Sequence, residues 1–269
     1  MKFSILIAHY NNWNYFQECY QSIIKQTYSD YEIIIVDDNS TDDSYKKLVD
    51  LANVDNRIKL FQNSENKKVG YTKKRCVDEA IGEICLFIDP DDKIESKALE
   101  EINLAYHHNS SIIATYSKIR LIDEESNNKG IFKFSKKIKN GNSHFFNVNL
   151  EVAHLFSFKK EAYLKTIGIN ETLTSAVDQD LYMKLYEIGD FYFINQFQYL
   201  YRLHDQGVSQ DKSKKGKLNL NWNQVLMDTC NRRGINQIYG KKVVEIENIS
   251  KFLFEKENTI LKKVLRKFL

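Results

Sequence analysis

The sequence predicts an α/β protein with a mixed, mostly parallel central sheet flanked by helices, followed by a helical C-terminal extension. Apolar, β-branched runs alternate with segments of helical periodicity throughout residues 1–115. Alternation at this pace is typical of βαβ units. Right-handed crossovers bring the C-terminal ends of such strands to one edge of the sheet, where open α/β sheets bind their ligands.

The first half supplies strands and helices in regular succession. The strands are expected at Phe3–Ala8, Glu32–Val36, Arg57–Phe61, Ile84–Ile88 and Ser111–Thr115. The helices between them repeat apolar residues on one face and are expected at Tyr15–Lys25, Asp42–Leu51, Thr72–Ile81 and Glu95–His107.

The alternation is lost over Lys118–Phe158, where Asp123–Lys129 reads as a polar loop and Ile131–Lys139 is basic and aromatic. Helices are expected again at Glu161–Lys165 and Asp180–Glu187, and strands at Phe191–Phe193 and Gln198–Leu203. After the polar, basic stretch Gln210–Lys217, the remainder is expected to be helical.

Composition excludes several classes of protein. The 269 residues suit one large domain, or one domain with a smaller extension, and 42% of them are apolar. The net charge of +3 is too small to indicate a nucleic-acid partner. The four cysteines lack metal-binding spacing, so a reducing compartment is expected. The N-terminus lacks the pattern of a signal peptide, and no apolar run approaches the ~18 residues of a membrane span.

The most informative segment is Ile84–Asp92, ICLFIDPDD, in which an apolar run ends in Asp89, Asp91 and Asp92 around the only proline. Clustered carboxylates repel one another, and oxygen ligands favour a hard divalent ion such as Mg²⁺ or Mn²⁺. The alternative is turn and helix-capping chemistry, to which Asp-Pro-Asp-Asp is also well suited.

Polar residues also follow two other predicted strands. Asp37 and Asp38 end the second strand, and Ala8 and Tyr10 end the first. A carboxylate there can accept hydrogen bonds from a nucleobase or a ribose, and an aromatic ring can cover the base. Helix capping is the alternative for Asp37–Thr41. The sheet edge shared with Ile84–Asp92 favours the nucleotide reading.

These residues carry a resemblance. The segments FSILIAHYNN, QTYSDYEIIIVDDNSTDDS and AIGEICLFIDPDD resemble the nucleotide-sugar-binding half of family 2 glycosyltransferases, which have the GT-A fold and invert the anomeric centre. Further matches to the acceptor half lie at Phe156–Phe158, Ile167–Glu171, Asp178–Leu185 and Tyr201–His204. The resemblance implies a nucleotide-sugar-binding half at 1–115, an acceptor-binding half of the same domain at 116–210 and a helical extension at 211–269.

The resemblance also implies roles for donor-binding residues. Asp37 and Asp38 would recognise the base and ribose, most often of UDP, with Ala8 and Tyr10 beside the base. Asp89 would reach the ribose or a metal-bound water. Neutralising the leaving diphosphate requires cations, and Lys73 is a candidate for which a solvated helix face is the alternative.

For metal binding and catalysis, the resemblance implies that Asp91 binds Mn²⁺ or Mg²⁺, that His204 contacts the metal or the diphosphate, and that Asp92 is the alternative ligand. Asp178 would be the base that deprotonates the acceptor hydroxyl. The acidic residue that often precedes this aspartate in the family is Val177 here, which makes Asp180 the alternative base. Helix N-terminal capping is the structural alternative for both carboxylates.

The expected function is an inverting, metal-dependent transfer of a hexose or N-acetylhexosamine from a UDP-sugar to a saccharide or lipid-linked saccharide in surface glycan synthesis, with no nucleic-acid partner. Two alternatives remain open: a sugar-nucleotidyltransferase, and a nucleotide-sugar-binding protein without catalysis. A sugar-nucleotidyltransferase would typically carry a Gly-rich basic loop after the first strand, and His9–Trp13 has none.

The final segment, Ile260–Leu269, places apolar residues on one helical face and basic residues on the other. It predicts either a helix docked on its own domain or an interfacial helix on anionic lipid. The protein is expected in the cytoplasm, and the second reading places it peripherally at the inner face of the membrane.

Overall fold

The computed structural model describes residues 1–205 and 215–259, and within them the chain forms a curved sheet with helices on both faces. The strands are β1 Phe3–His9, β2 Tyr31–Asp37, β3 Ile58–Gln62, β4 Ile84–Phe87, β5 Lys93–Ile94, β6 Ala114–Ile122, β7 Asn128–Phe132, β8 Ser157–Lys159, β9 Phe191–Arg202, β10 Gln237–Ile238 and β11 Lys241–Lys242. The helices are α1 Trp13–Ile24, α2 Ser44–Val54, α3 Lys68–Glu79, α4 Ala98–His108, α5 Lys160–Tyr163, α6 Val177–Tyr186, α7 Lys215–Arg232 and α8 Ile249–Glu257.

The strand order of the main sheet is β3-β2-β1-β4-β8-β6-β9-β5, with β7 paired to β6. Pairs β3-β2, β2-β1, β1-β4 and β6-β9 are parallel, whereas β8, β5 and β7 run antiparallel to their neighbours. The mixed, mostly parallel sheet expected from the sequence is therefore confirmed. Its parallel strands deliver the residues that follow β1, β2 and β4 to one edge.

Two apolar layers hold the sheet between the helices. Along β1, Ile5 and Ile7 enter the layer beneath α1 and α4, and Leu6 enters the layer shared with α3 and α6. These side chains are fully buried, and each contributes about 1.5–3 kcal/mol by leaving water. Burial on both faces explains why the central strands read as continuous apolar runs.

Several element boundaries differ from the sequence expectation. The strands expected at Phe191–Phe193 and Gln198–Leu203 are one strand, β9, and the strand expected to end at Thr115 continues through β6 to Ile122. The two pair along their length with irregular register around Lys118. Polar residues on the outer face of β6 and β9 interrupt the apolar pattern that identifies a strand. The two strands extend further because their backbones pair with each other.

The short strands β5, β7 and β8 and the hairpin β10-β11 were not expected either. The hairpin interrupts the C-terminal segment that was expected to be helical throughout. Its two-residue turn uses Tyr239 and Gly240 at φ +50° and +79°, the positive angles that such tight hairpins require. A separate apolar cluster that includes Leu226 and Ile249 packs this hairpin against α7 and α8.

Nothing in residues 1–205 and 215–259 forms a helix of the length and apolar character that a membrane crossing requires. The predicted membrane-surface segment Ile260–Leu269 and most of the basic stretch Gln210–Lys217 lie outside the described residues. The division into 1–115, 116–210 and 211–269 stays a prediction, and β6 crosses its first boundary.

Candidate active site

The acidic segments after β2 and β4 lie at one edge of the sheet, separated by β1. His9 pairs with Asp37 at the end of β1 and β2, and the Asp38 N–H donates to the His9 carbonyl at 2.8 Å. On the other side of β1, the Ile88 N–H donates to the Leu6 carbonyl at 3.1 Å, one residue before Asp89. Both carboxylate clusters are therefore anchored by backbone pairing to the same central strand.

The first cluster, called here the Asp37 cluster, comprises Asp37, Asp38 and their hydrogen-bond donors. Asp37 is fully buried and accepts from His9 Nδ1 (3.2 Å), the Ser40 hydroxyl (2.5 Å), the Ser40 N–H (2.9 Å) and Gln62 Nε2 (3.3 Å). Burial alone raises the pKa of Asp37, but the hydrogen bonds from His9 and Ser40 outweigh it, and the pKa is lowered. Four donors fill the acceptor sites of this carboxylate.

Asp38 ties the start of α3 to the same edge. Its Oδ1 accepts from Asn63 Nδ2 (2.7 Å) and the Lys67 N–H (2.8 Å), and its Oδ2 accepts from the Lys68 N–H at 2.9 Å. Since each carboxylate oxygen offers two acceptor positions, Oδ2 keeps one of them. Tyr10, which follows the end of β1, is 43% exposed.

The second cluster, called here the Asp89 cluster, comprises Asp89, Asp91 and Asp178 with Lys73, His154 and His204. Lys73 Nζ lies 3.0 Å from Asp89 Oδ1 and 2.8 Å from Asp178 Oδ1, and 5.1 Å from the centroid of the Phe87 ring. Burial alone lowers the pKa of Lys73, but the carboxylates of Asp178 and Asp89 outweigh it and raise the pKa. The ammonium group therefore bridges two elements of the fold as a permanent cation.

Lys73 also affects the carboxylate after β4. Burial raises the pKa of Asp89, whereas the charges of Lys73 and His154 lower it, and the net direction is down. Asp89 thus stays ionised beside Lys73, although it lies among other carboxylates. The candidate donor-site cation Lys73 is part of this buried bridge rather than of a solvated helix face.

Asp178 and Asp180 lie in the first turn of α6, but their side chains point in different directions. The turn follows Ala176 in the left-handed region, at φ +58°. Asp178 keeps 27% of its side chain exposed beside Lys73. The Asp180 side chain is only 2% exposed, and its Oδ2 accepts from the Asn170 N–H (2.9 Å) and from Lys184 Nζ (2.7 Å).

This divergence follows from helix geometry, since residues two apart on a helix face nearly opposite directions. The carboxylate of Asp180, the alternative base, is therefore held in a buried ion pair with Lys184, whereas that of Asp178 stays partly exposed.

Asp91 and His204 come together as the sequence predicts. Their Oδ2 and Nε2 atoms are 2.8 Å apart, and 24% of the Asp91 side chain is exposed. The ring of Tyr15 packs against His204 with centroids 4.9 Å apart. A partly exposed carboxylate suits Mn²⁺ or Mg²⁺, so Asp91 fits the expected metal, and Nε2 of the buried His204 lies beside it.

Asp92 turns inward instead. It is 1% exposed, and its Oδ1 accepts the Arg202 N–H at 2.7 Å. Burial, together with the nearby charges of Asp91 and Asp89, raises its pKa well above the usual range. Asp92, the alternative metal ligand, is therefore buried and bonded to the backbone of Arg202, whereas Asp91 stays partly exposed.

His154 is a residue of this site that sequence reasoning missed. Its Nε2 lies 3.8 Å from Asp89 Oδ2, and its ring stacks on Tyr199 with centroids 4.9 Å apart. Ligand atoms of Asp89, His154 and Asp178 lie within 4.8 Å of one another, a spacing that can hold a metal. However, the Lys73 ammonium already bridges both carboxylates, so a divalent ion there would face a buried cation.

Arg202 is a second missed residue, and it supports the loop around Asp91. Its buried guanidinium donates to the Asp91 carbonyl (2.8 Å), to Glu18 Oε2 (3.0 Å) and to carbonyls that follow β6. His154 lies in a segment without periodicity. Arg202 belongs to the matched stretch Tyr201–His204, but its role was not predicted, because it acts through contacts with residues distant in sequence.

This arrangement of strand ends, paired carboxylates and an acidic helix start agrees with comparisons to known proteins. The model of the family described as "Glycosyl transferase family 2" matches residues 4–166. The chain belongs to glycosyl transferase family 2. The resemblance read from the sequence is confirmed, and with it the assignment to a glycosyltransferase.

Curated relatives extend the match beyond those residues. Chondroitin synthase from Escherichia coli is 30% identical over 94% of this chain and 36% of its own length. Hyaluronan synthase from Pasteurella multocida is 27% identical over 94% of this chain and 25% of its own length. A GalNAc(5)-diNAcBac-PP-undecaprenol beta-1,3-glucosyltransferase from Campylobacter jejuni is 30% identical over 76% of this chain and 66% of its own. The chain thus spans about a third or less of the two synthases.

The fold matches solved glycosyltransferase structures. Residues 1–349 of Staphylococcus aureus TarS, solved with UDP-GlcNAc, superpose with a TM-score of 0.68 at 21% identity, covering 86% of this chain and 72% of that one. The expected GT-A-type architecture is therefore confirmed.

Proposed function

We propose that this family 2 glycosyltransferase moves a hexose or N-acetylhexosamine from a UDP-sugar to a saccharide hydroxyl, with inversion and with Mn²⁺ or Mg²⁺. One observation carries the proposal: the partly exposed carboxylate of Asp178 lies at the sheet edge that also presents Asp91 and His204, and Lys73 ties it to Asp89. A candidate base and a candidate metal pair thus border one reaction space.

The donor nucleoside is proposed to bind between Tyr10 and Asp38. Asp38 Oδ2 keeps an acceptor position for a base N–H or a ribose hydroxyl, whereas the acceptor positions of Asp37 are filled. Asp37 then acts by holding the strand end, and Ala8 lines the same end of β1. The complex of TarS with UDP-GlcNAc supports a UDP-sugar as the donor.

Asp91 and His204 would hold the divalent ion, which supplies charge neutralisation for the departing diphosphate. Asp89 lies beside them and is proposed to face the ribose or a metal-bound water. Lys73 keeps Asp89 and Asp178 at a fixed separation, so the donor and the acceptor would be held at a constant distance and orientation.

Asp178 is proposed to accept the proton of the acceptor hydroxyl. As that oxygen forms its bond to the anomeric carbon from the face opposite the diphosphate, the bond from that carbon to the diphosphate breaks and UDP leaves. The proton ends on a carboxylate oxygen of Asp178, so charge and atoms balance. Attack from the opposite face inverts the anomeric centre.

The acceptor is proposed to be a growing surface glycan, either free or lipid-linked. The names of the Campylobacter jejuni relative and of the two synthases support saccharide acceptors of both kinds. A lipid-linked acceptor would place the protein in the cytoplasm at the inner face of the membrane, with Ile260–Leu269 as the proposed contact with anionic lipid.

A donor assay tests the proposal. UDP release is measured for a panel of UDP-sugars with Mn²⁺ or with EDTA, and NMR of any glycosylated product reports its anomeric configuration. We expect release with at least one UDP-sugar, loss in EDTA and an inverted product. Pyrophosphate exchange would indicate a nucleotidyltransferase instead, and silence across the panel would indicate a protein that only binds nucleotide-sugars.

Asp91→Asn tests the metal assignment, with Asp50→Asn as the control, since Asp50 is exposed on α2. Isothermal titration of Mn²⁺ should show weak binding without UDP and much tighter binding with it, and Asp91→Asn should remove that gain. Equal Mn²⁺ affinity in Asp91→Asn and Asp50→Asn, with UDP present, would contradict the assignment.

A further inference from the structure

One face of the β6-β7-β9 region, called here the cationic face, is formed by Lys118, Arg120, Ile131 and Phe197. Lys118 pairs with Phe197 across β6 and β9, and Arg120 pairs with Ile131 across β6 and β7. Lys118 Nζ and the Arg120 guanidinium carbon lie 5.5 and 4.4 Å from the centroid of the Phe197 ring. Two cations therefore converge over one aromatic ring, an arrangement that favours an anion carried on an apolar frame.

The chain continues from this face into its most basic segment. Between Ser126 and Asn140 there is no acidic residue, while the lysines, all exposed, are Lys129, Lys133, Lys136, Lys137 and Lys139. Within the described part of the chain, none of these amines lies within 4.0 Å of a carboxylate, whereas Arg120 lies 3.8 Å from Glu95. Because the whole chain carries only +3, this concentration of charge is local.

The basic segment is held on the same side of the sheet as the cationic face. The Tyr116 hydroxyl donates to the Lys136 carbonyl at 2.6 Å and accepts from the Ile138 N–H at 3.0 Å. Alternate residues of a strand share a face, so Tyr116 and Lys118 lie on one side. Glu151, whose carbonyl accepts the Lys136 N–H, brings one carboxylate to the border of this surface.

The cationic face is continuous with the acceptor side of the candidate active site. Tyr116 shares its apolar cluster with Val177 of α6, the residue before Asp178, so α6 and the face lie on the same side. At the end of β6 and β9, Ile122 pairs with Arg202, which contacts the Asp91 loop. Arg120 precedes that end by two residues, about 7 Å along the strand.

We propose that the cationic face binds an acidic saccharide chain, the acceptor, whose growing end reaches Asp178. This inference rests on the proposed function and specifies its substrate class. Sugar rings would lie on Phe197 and Ile131, and their carboxylate, sulfate or phosphate groups would pair with Lys118, Arg120 and the neighbouring lysines. Each sugar of an extended chain thereby finds an apolar contact and a cation on one surface.

The shape of the surface favours a saccharide over a membrane. Membrane insertion requires apolar side chains that project together from a basic rim. Ile131 lies with Arg120 on the outer face, but Phe134 packs edge-on against Phe132, which belongs to the core side with Ile119. The exposed apolar side chains of this segment therefore point to opposite sides of the sheet.

The test uses the triple variant Lys118→Gln/Lys133→Gln/Lys136→Gln. Its matched control is Lys46→Gln/Lys241→Gln/Lys251→Gln, which removes the same charge from exposed positions on α2, β11 and α8. The probe is a fluorescently labelled hexasaccharide of galacturonic acid, followed by anisotropy at low and moderate salt. We expect about tenfold weaker binding in the test variant, which corresponds to about 1.4 kcal/mol, because it lacks three cations of this surface, and unchanged binding in the control.

Two further measurements separate the possible failures. The test variant should hydrolyse the UDP-sugar that is active in the donor assay at an unchanged rate. If the unmodified protein hydrolyses no UDP-sugar, that result counts against the proposed function and not against the cationic face. For the cationic face itself, equal losses in the test and control variants would overturn the proposal, as would absence of probe binding by the unmodified protein. The proposal would also be overturned if the test variant lost as much affinity for anionic phosphatidylglycerol vesicles or for single-stranded DNA as for the hexasaccharide. Such a result would show a general attraction for polyanions.

Discussion

The Asp37 cluster and the Asp89 cluster lie at the same sheet edge, on either side of β1, yet their carboxylates are stabilised in different ways. Asp37 accepts from His9, Ser40 and Gln62, and Asp38 accepts mainly from backbone N–H groups at the start of α3. The Asp89 cluster relies on charged side chains instead, since Lys73 bridges Asp89 and Asp178 while His204 contacts Asp91.

This difference separates positioning from chemistry. Backbone and hydroxyl donors hold a carboxylate in one place at low cost to the fold, but they leave few acceptor positions for a ligand. Charged side-chain partners leave the carboxylates sensitive to a metal, a diphosphate or a proton, because each of these changes the charge that the carboxylates face. Substitutions in the Asp37 cluster should therefore alter mainly stability, and substitutions in the Asp89 cluster should alter mainly turnover.

The largest expected effect belongs to Asp178. Asp178→Asn should lower the rate of transfer about 1,000-fold, because general bases contribute ~10²–10⁴, while UDP-sugar binding and thermal stability are retained. Asp180→Asn, on the same helical turn, should instead lower the free energy of unfolding by about 3–5 kcal/mol, because it breaks a buried ion pair with Lys184. Steady-state kinetics, calorimetric donor titration and urea unfolding give the three readouts.

The pair of variants at positions 178 and 180 also provides its own control. Normal transfer by Asp178→Asn would remove that carboxylate from the mechanism. Loss of folding in Asp178→Asn, with a stable Asp180→Asn, would reverse the assignment of structural and catalytic roles.

Lys73→Gln should have the second largest effect, about 100-fold on kcat, because Asp89 and Asp178 lose the charge that holds them together. The control is Lys74→Gln, whose amine pairs with Asp78 on the surface of the same helix. A change of KM alone, with kcat unchanged, would indicate that Lys73 contacts only the donor.

Lys73→Gln should also change how stability depends on pH. The pKa of Asp89 is lowered in the fold, so its contribution is present above its unfolded pKa of about 4 and is lost as the pH falls through the folded value. Without Lys73 the pKa of Asp89 rises, so the variant begins to lose stability at a higher pH on acidification. The raised pKa of Lys73 itself contributes stability below its unfolded pKa of ~10.5 that is lost as the pH rises through the folded value. Urea unfolding across the acid and alkaline limbs measures both shifts.

The smallest effect on turnover is expected for Asp37→Asn. An amide would turn an NH₂ group toward the donors His9, Ser40 and Gln62, so the free energy of unfolding should fall by about 1–3 kcal/mol. KM for the UDP-sugar should rise only a few-fold, with kcat retained. A loss of kcat as large as that of Asp178→Asn, in folded protein, would erase the distinction between the clusters.

Much of the architecture could be predicted from the sequence. The apolar runs of β1, β2 and β4 and the acidic residues that follow them identified the sheet edge, and the pairing of Asp91 with His204 followed from the family resemblance. The paired strands β6 and β9 were underestimated, because their outer face carries Lys118, Arg120 and other polar residues that weaken an apolar pattern.

Sequence by itself determined which strand ends meet and which chemistry they carry, because strand periodicity and crossover handedness are local properties. Only the tertiary structure decided which carboxylate of each pair faces the site. Asp92 is turned inward by the Arg202 N–H, and Asp180 by Lys184 and Asn170. Lys184 lies four residues and Asn170 ten residues from Asp180, whereas Arg202 lies 110 residues from Asp92. A carboxylate that follows a strand or begins a helix points toward whichever donor the completed fold provides.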